Sequence, residues 1–119
     1  MTALLFLGIS LAGGLGAACR FVLDGLIKTA VPSRLPLATM AINISGSFGL
    51  GLLVGLAVPS SWLLVAGTGF LGGYTTFSTA SYETVRLMQE REWMRSLVTG
   101  FGVLVAATGA AALGLCLGS

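Results

Sequence analysis

The chain has no histidine, only four acidic residues and six basic ones, two cysteines and three prolines. Each shortage excludes something. Without histidine, and with so few carboxylates and thiols, most acid–base catalysis and most metal chemistry lack their side chains. Charged residues make up 8% of the sequence, against about 25% in an ordinary soluble domain. Six basic and four acidic side chains cannot coat a soluble protein of 119 residues. Intrinsic disorder is excluded too, because it needs low hydrophobicity and high charge. A net charge of +2 is too small for a nucleic-acid footprint, so no nucleic-acid partner is expected. What the chain does have is apolar: 55% of its residues are hydrophobic and its mean hydropathy is +0.98. Its solvent is membrane lipid, and its length allows one domain at most, over residues 1–119.

The few charges are grouped. Arg20, Asp24, Lys28 and Arg34 form one cluster, and Glu83, Arg86, Glu90, Arg91, Glu92 and Arg95 a second. Everything between is uncharged. A helix needs about 20 apolar residues to cross a bilayer. The pattern therefore predicts an all-α membrane protein with four spans, over about residues 2–28, 35–58, 62–83 and 96–117. Pro59-Ser60-Ser61 divides the long central run, with proline stopping one helix and serine capping the next. No cleavable signal peptide is expected, since residues 1–19 hold no lysine or arginine for a basic leader region. Cys19 and Cys116 fall in predicted spans and read as packing residues rather than a disulfide.

Following the chain through four spans puts both termini and the Pro59 turn on one side. All six lysines and arginines fall on the other, three in each cluster. The positive-inside rule then places the clusters in the cytoplasm and the termini outside.

Glycine is abundant, at 18 residues. Small residues let membrane helices approach closely. Gly51-Leu-Leu-Val-Gly55 and Gly13-Gly14-Leu-Gly16 read mainly as packing surfaces. The third span is different. Gly72-Gly73-Tyr74-Thr75-Thr76-Phe77-Ser78-Thr79 is poor continuous helix. It predicts a break that frees backbone groups for ions; the alternative is an intact span whose hydroxyls bond back to their own helix. In the second span, Thr39, Asn43 and Ser47 recur every four residues and share one face. Asn43 in lipid needs a pore or an interhelical hydrogen bond, and the residues alone do not choose between them.

These same residues resemble the small fluoride channels of the Fluc/CrcB family. The carriers of the resemblance are Gly13 to Arg20, Asn43 to Phe48, and Gly72 to Thr79. The resemblance implies an antiparallel, dual-topology dimer, a fluoride-selective passive channel that exports cytoplasmic fluoride across the plasma membrane, and no enzyme activity. It assigns Asn43 and Phe77 to the fluoride pore, with Thr39 and Ser47 as further donors and Arg20 in the vestibule. It assigns the carbonyls of Gly72 and Thr75 to a structural sodium ion. Two departures stand out. The family string carries a second phenylalanine where this chain has Ala80. The polar track of the last helix falls on Thr99, Val103 and Ala107, of which only the first is polar. The dimer partner is then a second copy or a paralogue of opposite orientation, and these departures, with all the positive charge on one side, favour the paralogue. A multidrug-type transporter of similar size would need an acidic residue within a span, and the acids here lie in the two clusters. A membrane structural subunit would not need the Asn43 and Gly72–Thr79 constellation.

Overall fold

The computed structural model describes residues 2–33 and 35–119, with Ser78 through its backbone alone. Arg34, counted in the first charged cluster, lies outside the described residues.

Among the described residues every regular element is helical. Helix α1 (Ala3–Ala30) starts at Thr2, whose hydroxyl accepts the Leu5 N–H, and ends before Pro32. Helix α2 (Leu37–Gly55) starts directly after Pro36. It ends in a turn where Ala57 takes a positive φ of 55°. A third helical run covers 60–74 in three parts: α3 (Ser60–Leu63), a π segment π1 (Leu64–Leu71) and α4 (Gly72–Tyr74). Helix α5 (Phe77–Gln89) follows. The last run joins α6 (Trp93–Leu97), a second π segment π2 (Val98–Gly102) and α7 (Val103–Gly118). Three helices are long and apolar enough to cross a membrane: Ala3–Ala30, Leu37–Gly55 and Trp93–Gly118.

The expected 62–83 span runs as two shorter helices, 60–74 and 77–89, with the expected break between them. The glycine pair is not where it breaks. Gly72 and Gly73 are helical, and the extended residues are Thr75 and Thr76, with ψ of 160° and 116°. The glycines serve packing instead. A Cβ at Gly73 would sit 2.1 Å from the Gly13 carbonyl oxygen, and one at Gly16 only 2.0 Å from that of Phe70. Helix α1 and the 60–74 helix therefore touch backbone to backbone. The second contact of this kind joins α2 to α7. A Cβ at Gly51 would meet the Ala111 carbonyl oxygen at 2.0 Å, and one at Gly114 the Phe48 carbonyl oxygen at 2.3 Å. The Gly51–Gly55 motif is thus used within the protomer. At the next turn Pro59, not serine, occupies the N-cap position, no side chain caps the helix, and Ser60 and Ser61 enter the first turn of α3.

Burial is inverted relative to a soluble protein. Among the described residues only Ala12, Ala38, Ile42 and Leu87 are buried hydrophobics, while Thr39, Ser96 and Thr99 are buried polar ones. Large apolar side chains such as Phe6, Leu15, Phe21 and Leu104 cover the outside, where lipid solvates them without cost. Cys19 and Cys116 are free thiols and are also exposed. The charged clusters share one end of the molecule. Lys28, Ser33 and Arg86 line one cavity there, and Ser33, Arg86 and Glu90 another. Ion pairs Lys28–Asp24 and Arg86–Glu90 lie at that end. At the opposite end, the backbone of Gly118 reaches Leu52 and Leu56.

Candidate functional site

The break between the 60–74 helix and α5 is held by side chains from α1 and α2. Asn43, on α2, makes both hydrogen bonds a missing helical turn would have made. Its Nδ2 donates to the Thr76 carbonyl at 2.9 Å, and its Oδ1 accepts the Thr76 N–H at 2.8 Å. An unbroken helix would have spent that N–H on Gly72. The Thr79 N–H, which would have gone to Thr75, bonds the Thr76 hydroxyl instead at 3.3 Å. The carbonyls of Gly72 and Thr75 therefore lose their i+4 donors. Gly73 is different: Arg20, half-buried on α1, donates from Nε to its carbonyl at 3.2 Å. Arg20 thus places a positive charge at the negative end of the 60–74 helix.

Gly46 makes room for this arrangement. A Cβ there would lie 2.3 Å from the Thr75 methyl carbon and 3.3 Å from the Tyr74 ring. Tyr74 stacks on Phe70 with ring centroids 6.1 Å apart and bonds the Ser45 hydroxyl at 2.9 Å.

The Thr39–Asn43–Ser47 face is split by the break. Ser47 and Asn43 line a cleft of about 500 Å³ with Gly72, Thr75 and Phe77. Thr39 lines a separate cavity of about 330 Å³ with Arg20, Asp24 and Thr79, and Thr76 borders both. Thr39 is 3% exposed, and its hydroxyl donates to Glu83 Oε1 at 2.7 Å. Sequence reasoning left Glu83 in a charged cluster and did not connect it to Thr39, because 44 residues separate the two. Phe77 opens α5 and is 86% exposed. It stands beside the first N–H groups of α5, which carry that helix's partial positive charge. The sequence-assigned residues thus gather around one break: Asn43, Ser47, Gly72, Thr75 and Phe77 on one side, Thr39 and Arg20 on the other.

Of the last-helix residues, Thr99 is 5% exposed and its hydroxyl has no partner among the described residues. Val103 and Ala107 are half-buried, as is Ala80. Among the described residues no three His, Cys, Asp or Glu side chains gather to hold a metal ion.

Residues 7–115 match the family model described as CrcB-like protein, Camphor Resistance (CrcB). The chain is similar to a protein of Leifsonia xyli subsp. xyli named fluoride-specific ion channel FluC 1. They are 54% identical over 122 residues, covering 99% of this chain and 89% of the relative. It is also similar to fluoride-specific ion channel FluC 2 of Mycobacterium tuberculosis (strain H37Rv), at 40% identity over 96% of this chain and 90% of the relative. A third relative, fluoride-specific ion channel FluC of Thermococcus gammatolerans, is 46% identical over 79% of each chain.

Proposed function

The chain belongs to the CrcB-like family, and from that premise we propose that it is a fluoride-selective passive channel of the plasma membrane. The carrying observation is the helix break pinned by Asn43, next to a cleft lined by Ser47, Thr75 and Phe77. Fluoride is small and strongly hydrated, so it enters protein only where hydrogen-bond donors replace its water. The cleft offers the Ser47 hydroxyl, the second Nδ2–H of Asn43 and the N-terminal dipole of α5. The positive edge of the Phe77 ring suits an anion as well. Thr39 is held by Glu83 and orients the cavity on the far side of the break, where the Arg20 charge attracts anions.

The reading includes four spans, with the 60–74 helix and α5 together forming the third. It includes an antiparallel dimer, because Phe77 projects from the protomer and the cleft is open on one side. The Gly72 and Thr75 carbonyls suit a hard cation such as sodium. Two oxygens are too few for one ion, so a partner of opposite orientation would complete the set. Bound there, the ion supplies a fixed positive charge beside the anion path.

The experiment is fluoride efflux from liposomes, recorded with an ion-selective electrode, for the chain alone and with a paralogue from the same genome. Fast fluoride loss with chloride retained is expected. Exchanging sodium for a large organic cation should slow it. A multidrug-type transporter or a structural subunit would release no fluoride in either assembly, and that result would end the reading.

A further inference from the structure

Five helical hydroxyls in this chain turn back on their own helix. Ser10, Thr29, Thr75, Thr84 and Thr108 each donate to the carbonyl four residues back, at 2.8–2.9 Å. Such back-bonding hides a hydroxyl from lipid. Thr68, like Ser47, makes no such bond among the described residues, and its side chain is exposed. Thr68 sits in π1 (Leu64–Leu71), where N–H groups bond five residues back and the i−4 carbonyl is displaced. Thr99, in π2, is the same case in the last helix, with an unpartnered buried hydroxyl.

An unpaired hydroxyl in mid-membrane is costly unless something polar meets it. Thr68 does meet something: it lines the same cleft as Ser47, Gly72 and Thr75. Counting back from Thr75, Gly72 and Thr68 stand three and seven residues away, and all three line the cleft. The levels across the cleft are fixed by α2. Gly46 touches Thr75, Gly49 touches Leu71, and Leu50 approaches Gly67 at 3.3 Å from its built Cβ. Ser47 therefore stands one step from the break and Thr68 a step farther, toward the end that holds the Pro59 turn.

We propose that the Thr68 hydroxyl is a specificity-determining group of the permeation path, donating to fluoride on the side of Ser47 away from Asn43. The inference rests on the channel reading above. It also gives the path a donor beyond those of the last helix, where Val103 and Ala107 offer none.

The test compares Thr68→Val, Thr68→Ala and Thr68→Ser with the unsubstituted full chain, in the assembly that conducts. Fluoride efflux is read beside the oligomeric state in detergent. Losing a hydrogen bond to a charged species slows a step by about tenfold or more. The Val and Ala variants should lose that much efflux with assembly unchanged, and the Ser variant should recover most of it. Efflux undiminished in the Val or Ala variant overturns the proposal. So does loss of the dimer in both, which would make the hydroxyl an interface group, or a Ser variant as slow as Val. If the unsubstituted chain itself releases no fluoride, the channel reading fails, and this proposal with it.

Discussion

At the scale of single residues, the site is built from side chains that repair a backbone. Asn43 and Arg20 both bond main-chain atoms of the third helical run. A neutral amide can donate and accept at once, which is what one residue with an orphaned N–H and an orphaned C=O requires. The sequence shows that Asn43 needs a partner, but not which one, because Thr76 lies 33 positions away. The resemblance assigns Arg20 to the vestibule. In the structure its Nε donates to the Gly73 carbonyl. A charged hydrogen bond of this kind contributes about 1.5–3 kcal/mol, and half-burial of Arg20 places the effect at the lower end. Arg20→Met is therefore expected to lower unfolding stability in detergent by about 1–2 kcal/mol. Thermal unfolding indistinguishable from the unsubstituted chain would show that the capping bond contributes nothing.

At the scale of elements, two glycine-lined contacts hold the helices together. Their consequence is steep position dependence. Gly51 and Gly114 have no room for a methyl group, with carbonyl oxygens 2.0 and 2.3 Å from a built Cβ, whereas Gly14 and Gly109 have nothing within 4 Å. Overpacking costs about 1–3 kcal/mol where neighbours can yield, and backbone yields least. Gly51→Ala or Gly114→Ala should lose at least that much stability, while Gly14→Ala and Gly109→Ala stay near neutral. Melting temperatures of the four purified variants decide it, and equal losses in all four would refute the packing account. The spans themselves were legible in the sequence, since apolar length and charge gaps bracket α1, α2 and the last helix to within three residues. The break was legible as a region and not as a residue. Composition marks the whole Gly72–Thr79 run as poor helix, and within it Gly72 and Gly73 stay helical while Thr75 and Thr76 are extended. The π segments left no signal in the sequence.

For the whole molecule, the decisive asymmetry is charge. The loop holding Ser33 and the segment from Arg86 to Glu92 meet at one end. Among the described residues, the opposite end, near Leu56 and Gly118, carries no lysine or arginine. A chain that inserts equally in both orientations needs balanced charge, and this one is six to nothing. It should therefore insert with both termini outside and pair with a paralogue of opposite bias. A C-terminal reporter fusion measures this. Signal from the outer side alone is expected, and signal from the cytoplasm, or from both sides, would remove the fixed orientation.

The account turns on Asn43, which at once closes the helix break and faces the cleft. Asn43→Asp keeps the acceptor for the Thr76 N–H, removes both donor hydrogens and sets a carboxylate against the anion path. The most direct measurement is fluoride efflux from liposomes holding equal amounts of unsubstituted chain and of the Asn43→Asp variant, each in its conducting assembly. The account predicts rapid efflux from the first and near-baseline efflux from the second. Undiminished efflux from the variant would contradict it.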